Sequence, residues 1–570
     1  MTTTQSATLT LQSDTAQHLS SADLRRARDL FRADGHFEQF AFELGLDDEQ
    51  QAIERLADAL AIPWIDLTAF PVDTELVSRF PVRLIHRHGV FPLREVNSVL
   101  ELAIANPFDT DAIDAAGAAM EMSVVPVIVS SSELATVIKS QFGVGAETLD
   151  GLIAQKYEDT EGVEIVGDME WDESEAAEMA QQASVVKLVN DILTEAIESR
   201  TSDIHLEAQP HGMKIRYRID GVLQTQPVPR ELNRFQAAII SRLKIMSKMN
   251  IAEKRVPQDG RIKLRVSGRE VDIRVSMIPM HHGEGVVMRV LDKDAMSFSL
   301  KGVGMEQETY DTFRELIRMP HGIVLVTGPT GSGKTTTLYS SLAEIKSERN
   351  KIITTEDPIE YQLEGINQIQ VNPKVGLTFA AGLRSILRHD PDVVLVGEIR
   401  DLETAENAVQ ASLTGHMVFS TLHTNDAAGS FMRLTDMGVE PFLVSSTLEG
   451  VLAQRLVRTL CEECRQPWMP HHDDVPADFP LDEITHSRPI YGARGCRSCR
   501  GTGYRGRLGI YELLVANEKI RQLASERSST IEIKKAAVAS GMKTLRMDGW
   551  RKVAAGLTTI DEVLRVTKSD

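Results

Sequence analysis

Basic residues are in deficit in this chain: 62 lysines and arginines face 82 aspartates and glutamates, a formal net charge of −20 over 570 residues. That balance repels a phosphate backbone, so a sequence-independent grip on nucleic acid through a basic surface is disfavoured. Long apolar runs are missing as well. The stretches 322–326 and 393–397 are soon interrupted, well short of the roughly 18 residues a membrane-spanning helix needs. Residues 1–15 carry neither the basic start nor the apolar core of a signal peptide, and the expectation is a cytoplasmic protein without an integral membrane segment. No fixed-period repeat points to a solenoid. Cysteine is scarce, with 4 residues that all fall in two Cys-x-x-Cys pairs, Cys461/Cys464 and Cys496/Cys499. In a reducing compartment such pairs point to a metal rather than to disulfides.

What is present is an ordinary globular composition, 42% hydrophobic and 25% charged. At about 100 to 200 residues per domain, the length predicts three to five domains. Residues 1–145 read as a small mixed domain, helix-like over 50–60 and strand-like over 100–105 and 124–129, with no motif that carries chemistry. Acidic side chains crowd 146–183, Glu158, Asp159, Glu161 and Glu164 among them, and this segment reads as a solvated linker. Residues 184–300 open with Val185, Leu188, Val189, Ile192 and Ala196 at helical spacing. They continue through alternating stretches parted by Asp220-Gly221 and Asp259-Gly260, a strand-rich α+β pattern. From 301 to 570 apolar strands alternate with helices, the pattern of a doubly wound α/β domain.

Within that last part, Gly328-Pro329-Thr330-Gly331-Ser332-Gly333-Lys334-Thr335 satisfies G-x-x-x-x-G-K-[ST]. An apolar run precedes it and a helix-compatible stretch from Thr336 follows, which is the context the motif requires. Glycines let backbone N–H groups converge on phosphates, Lys334 brings positive charge toward the β and γ oxygens, and the Thr335 hydroxyl can ligate Mg²⁺. Residues 328–336 are therefore the candidate ATP-binding set. Apolar strands over 351–354 and 393–396 end in Glu356-Asp357-Pro358-Ile359-Glu360 and Gly397-Glu398. Ligands in open α/β sheets sit beyond the carboxyl ends of strands, so either Glu356 or Glu398 can position water or metal. Glu356 is the first candidate for polarising the attacking water, and the two roles can be exchanged. His416 and His423 flank the apolar run 417–419 and are candidates beside the phosphate loop, His423 the stronger.

The two cysteine knuckles have the spacing of a tetrahedral Cys₄ zinc site, with no histidine or open position for chemistry. Redox-active or inert thiols are the alternatives.

Taken together, the Walker A loop, the acidic box at 356–360, the strand ending at Glu398 and the histidine box at 416–423 resemble the ATPase family that powers type II secretion and type IV pilus assembly. Further matches lie at Ser202-Asp-Ile-His205, at 216–221, at 252–261 and at 453–458, so the resemblance spans roughly 185–567. It implies a RecA-like P-loop ATPase domain with a zinc module at 459–502, preceded by a PAS-like α+β domain and an N-terminal adaptor domain. It further implies a Mg²⁺-dependent ATPase working as a homohexamer, cytoplasmic and peripheral at the inner membrane, docked on secretion platform proteins through its N-terminal domain. By the same similarity Arg274 and Arg289, on the domain before the phosphate loop, reach nucleotide phosphates when the domains close, and Arg384, Arg388 and Arg400 match further arginines. Gly397 stands where many P-loop ATPases place an aspartate, which leaves Mg²⁺ to Thr335 and water. Pilus extension, and a nucleotide-switched scaffold with negligible turnover, are the competing readings; a nucleic-acid motor fares worst.

Overall fold

The computed structural model describes residues 19–142, 183–292, 298–481 and 488–568, apart from 33–35, 47, 68–69, 71, 229, 267 and 497. The acidic segment expected as a linker lies outside the described residues as far as 182, and a helix, Ala183–Glu198, begins directly after it. Two compact units emerge, Met1–Val266 with Asp272–Val290, and Ser267–Val271 with Leu291–Asp570.

The first unit opens with helices Ser21–Arg32, Phe37–Leu44 and Glu49–Leu60, which bury Phe31, Phe37, Phe40, Ile53 and Leu56 together with Ile128. Strands β1 (Val90–Val96), β2 (Val99–Ile104) and β3 (Ser123–Ile128) form a small sheet in that order. β1 and β2 are antiparallel across Asn97 and Ser98, both at positive φ (52° and 61°), as a two-residue hairpin loop requires. β2 and β3 are parallel, and helix Thr110–Met120, N-capped by Asp109, supplies the crossover.

Further along the same unit, β4 (Thr201–Gln209), β5 (Gly212–Ile219), β6 (Val222–Thr225), β7 (Gln258–Val266), β8 (Arg269–Met280) and β9 (Gly283–Asp292) make a six-stranded sheet, ordered β6-β5-β4-β9-β8-β7. Helix Ala183–Glu198 packs on it, and the fully buried Tyr217 of β5 donates its hydroxyl to the Ile192 carbonyl at 2.9 Å. The Asp220-Gly221 pair read as a turn joins β5 to β6 with both residues at positive φ.

The second unit is built on a seven-stranded sheet. Its strands are β10 (Gly322–Thr327), β11 (Ile352–Glu356), β12 (Asn367–Gln370), β13 (Val393–Val396), β14 (Met417–Leu422), β15 (Leu448–Leu460) and, after a two-stranded ribbon of β16 (Gln466–Trp468) and β17 (Ile490–Gly492), β18 (Tyr504–Val515). They lie in the order β12-β11-β13-β14-β10-β15-β18, parallel throughout except for β18, which runs against β15. Every residue of β10, β13 and β14 is buried, as in a parallel sheet covered on both faces. The pleat sends Ile323 and Leu325 into one core and Val324 and Val326 into the other.

After 503–507 the chain makes β18, because the apolar stretch at its C-terminal end pairs with β15 from Gly450 opposite Val515 onward. Helices Glu518–Ser525, Thr530–Ala539, Leu545–Ala554 and Ile560–Val566 follow.

Candidate nucleotide site and cysteine cluster

β10 ends at Thr327 and the chain turns through the glycine-rich loop into helix Lys334–Ile345. Gly331 and Gly333 sit at φ 79° and 87°, where a side chain would be strained. A Cβ on Gly328 would meet the Gln454 carbonyl at 2.5 Å and the Ser332 hydroxyl at 2.7 Å. The loop is thus held close to β15 by a residue without a side chain. The Lys334 Nζ donates to the Gly328 carbonyl at 2.7 Å and to the Pro329 carbonyl at 3.0 Å. Burial, opposed by Glu398 and assisted by the Arg455 charge, brings its pKa down to about 8. The Ser332 hydroxyl is buried with no hydrogen-bond partner, while Thr335 is exposed at the first turn of the helix. An unsatisfied donor, a cation folded onto carbonyls and open helix-start amides are what an anionic phosphate chain would satisfy.

The ends of β13 and β14 bring three predicted side chains together. Glu398 accepts from the Arg400 guanidinium at 2.6 Å, and its other oxygen lies 3.6 Å from the His423 Nε2. Glu398 is half-buried, whereas Arg400 and His423 are exposed. Gly397, beside it, has little room for anything larger: a Cβ would stand 3.1 Å from the Phe379 ring and 3.2 Å from the Thr355 carbonyl. An aspartate at 397 would displace that packing.

At the end of β11, Glu356 is buried, 5% exposed. Its Oε2 accepts from the Tyr339 hydroxyl and its Oε1 from the Thr354 hydroxyl and, at 3.1 Å, the Gln368 amide. Burial, followed by the neighbouring Glu356 charge, pushes the Tyr339 phenol well above its usual range, so it stays a donor. Glu356 and Glu398 therefore differ in setting, one enclosed by donors and the other open beside Arg400 and His423.

Other predicted residues are placed elsewhere. His416 uses its Nδ1 against the Ala411 carbonyl at 2.9 Å, at the C-terminal end of helix Leu402–Leu413, which is a capping contact. Arg384 pairs with Glu403, and Arg388 donates to the Arg384 carbonyl at 2.9 Å. Arg274 and Arg289 belong to the first unit, on β8 and β9, where the Arg289 Nε donates to Asp203 at 3.1 Å. Two residues that sequence reasoning passed over, Gln454 and Arg455, brace the loop from β15. The Gln454 side chain accepts from Thr337 at 2.7 Å, and Arg455 donates to the Asn425 carbonyl at 2.6 Å. Both lie in the matched stretch 453–458, which was the available signal.

The four cysteines converge as their spacing predicted. Their sulfurs lie within 4.8 Å of one another, with Cys461 to Cys496 at 3.8 Å and Cys464 to Cys499 at 3.7 Å. A tetrahedron with Zn–S of about 2.3 Å has edges of about 3.8 Å, so the sulfurs already outline one. The amides of Cys496 and Gly503 donate to the Cys499 sulfur at 3.0 and 3.1 Å, and this thiol is brought down to about 7 although burial opposes it. Amide donors to sulfur are the outer support a thiolate ligand needs.

Against known families, residues 178–565 match the type II/IV secretion system protein model, and residues 60–147 match the MshEN domain. The chain belongs to the type II/IV secretion system protein family. Its similarity to one member, type II secretion system protein E of Xanthomonas campestris, is 42% identity and covers 97% of each chain. Type II secretion system protein E of Pseudomonas aeruginosa is 54% identical over 69% of this chain and 77% of its own length. The type IV pilus assembly ATPase PilB of Myxococcus xanthus is 41% identical over 92% of both. Among the described residues of this family member, no helix is long and apolar enough to cross a membrane.

Proposed function

We propose that this secretion-family chain hydrolyses ATP to drive pseudopilus assembly and protein export in type II secretion. The observation that carries the reading is the convergence of the phosphate loop, Lys334, Glu398 with Arg400 and His423, and the buried Glu356 at the carboxyl ends of adjacent parallel strands. In this reading residues 328–336 hold the triphosphate and the Thr335 hydroxyl ligates Mg²⁺. Mg²⁺ held there would supply positive charge to the phosphate oxygens. Glu356 polarises the attacking water, while Glu398 keeps Arg400 and His423 in place beside the γ position. The Cys461, Cys464, Cys496 and Cys499 thiolates hold a structural zinc. The working form is a homohexamer at the cytoplasmic face of the inner membrane, peripheral through platform proteins bound by its N-terminal domain.

Phosphate release from Mg-ATP tests the enzyme reading. Lys334→Ala should fall at least about 100-fold, as expected when a transition-state cation is lost. Glu398→Gln and Glu356→Gln should retain nucleotide yet turn it over slowly. Negligible turnover by the wild-type chain in the presence of its platform partners would favour the switched scaffold instead. Pilus extension is a second reading, supported by the likeness to the Myxococcus xanthus pilus assembly ATPase. Complementation separates the two, because restored export without restored piliation selects secretion.

A further inference from the structure

Glu356 is enclosed by donors whose own supports share one neighbour. The Tyr339 hydroxyl reaches Oε2, and the Gln368 amide reaches Oε1 at 3.1 Å while also donating to the Tyr361 carbonyl at 3.0 Å. Phe298 stands edge-on to both aromatic rings, 5.4 Å from Tyr339 and 5.7 Å from Tyr361. It is the first described residue after 293–297, close to where the chain passes from the first unit into the second. With the Thr354 hydroxyl also bound to Oε1, three donors occupy three of the roughly four acceptor directions of a carboxylate. The remaining direction is on Oε2, the oxygen Tyr339 holds.

Taking Glu356 as the carboxylate that polarises water, as proposed above, we infer that Tyr339 is its positioning residue and that Phe298 is the buttress through which the entering chain sets that position. The Tyr339 hydroxyl fixes the rotation of the carboxylate, and so decides where its free lone pair points. Tyr339 lies on the helix that starts at Lys334, so the same element carries the phosphate-binding cation and the aim of the base. Phe298 touches both arms of the cage, the Tyr339 donor directly and the Gln368 donor through Tyr361. A shift of the chain at Phe298 is therefore felt at both carboxylate oxygens.

The test uses the full-length chain with Mg-ATP. Tyr339→Phe keeps the ring and its packing and removes one hydroxyl. It should lower kcat about tenfold or more and leave KM for ATP within about twofold, because misorienting a base by a fraction of an ångström acts on the transition state rather than on binding. In a Glu356→Gln background the same change should cause no additional loss, as for residues acting as one unit. Phe298→Ala should lower kcat with the same KM pattern, and Phe298→Tyr should restore it. Phe298 is half-buried, so its variants stand in should Tyr339→Phe not fold. Wild-type kcat in Tyr339→Phe overturns the inference, as does an equal further loss on the Glu356→Gln background. Wild-type turnover in Glu356→Gln alone would instead strike the role given to Glu356 itself.

Discussion

The Lys334 ammonium donates to the Gly328 carbonyl at 2.7 Å, folding the side-chain cation of the phosphate loop back onto the loop's first glycine. The carbonyls of Gly328 and Pro329 that it touches stabilise charge less well than a phosphate does.

Proton linkage at this lysine is the first prediction. Burial holds its pKa at about 8, below the usual 10.5 of a lysine. Above pH 8 the free protein therefore carries it largely neutral, while bound phosphate favours the ammonium and raises the pKa. Nucleotide binding should take up a proton at pH 8.5 to 9, and affinity should fall as pH rises through about 8. Calorimetry in buffers of different ionisation enthalpy reads the uptake directly. Lys334→Ala should abolish it; unchanged uptake in that variant would place the titration elsewhere.

Zinc is the second. With three of the sulfur–sulfur separations at 3.7 to 3.8 Å and all within 4.8 Å, the wild-type chain should carry about one zinc, and Cys496→Ser should lose it. Metal sites of this kind contribute apparent folding free energies of about 10 to 16 kcal/mol in finger peptides. Trp550 offers a local reporter. Its ring packs 5.2 Å from Phe479, from the stretch between the two knuckles, and it shares a buried cluster with Ile490 and Val563. Chelation should change its fluorescence while the phosphate loop still binds nucleotide. Elemental analysis showing no zinc in the wild type, or full zinc in Cys496→Ser, would be the contrary result.

Much of the sheet was readable in advance because its signals are local. The strand before the glycine-rich loop, the apolar run at 393–396 and the two knuckles announce themselves by composition and spacing alone. What stayed hidden depends on contacts between distant segments. His416 and His423 look alike in sequence, and only the tertiary structure spends one on a helix end and leaves the other 3.6 Å from Glu398. Gln454 and Arg455 carry no periodic signal; they matter because β15 lies next to β10 in the sheet. The apolar stretch of β18 is as compatible with a helix as with a strand until β15 is present to pair with it. Phe298 lies outside every motif, and its place beside Tyr339 and Tyr361 is a matter of packing.

A third prediction concerns acid. Glu562 is nearly fully buried, yet its carboxylate accepts from Arg565 at 2.6 Å, from the Arg458 guanidinium at 2.7 Å and from the Arg458 amide at 2.9 Å. Burial raises its pKa, but these donors outweigh that and hold it at about 2, against the usual 4.5 of a glutamate. A carboxylate depressed in the folded state contributes stability that is complete above the unfolded pKa. That contribution drains away as pH falls from about 4.5 toward 2. Glu562→Gln should cost about 1 to 3 kcal/mol at neutral pH, through the half-buried Arg458 charge left without its partner. It should also flatten the loss of stability between pH 5 and 3. Denaturant titrations at pH 7, 5 and 3.5 check both; an acid transition as steep in the variant as in the wild type would remove Glu562 from the explanation.

The last prediction tests whether hydrolysis is conditional on the first unit. Arg289 is half-exposed, and its guanidinium rests on Asp203, which also lies 3.5 Å from Arg218. A guanidinium held by a shared carboxylate at a half-exposed site can exchange that partner for a phosphate at modest expense, since exposed ion pairs are worth about 0.2 to 1 kcal/mol. If Arg274 and Arg289 reach the γ-phosphate as the family resemblance implies, Arg289→Ala and Arg274→Ala should each cut kcat by at least about tenfold and weaken ATP binding by much less, since such a charge would act as the γ-phosphate bond breaks. Asp203→Asn should move in the opposite direction, releasing Arg289 and raising basal turnover, provided the sheet stays folded. If the arginines serve a neighbouring subunit of a hexamer, mixing Arg289→Ala chains with Lys334→Ala chains should restore activity above either alone. Full turnover by Arg274→Ala and Arg289→Ala in a strictly monomeric preparation would rule out both the arginine role and the ring.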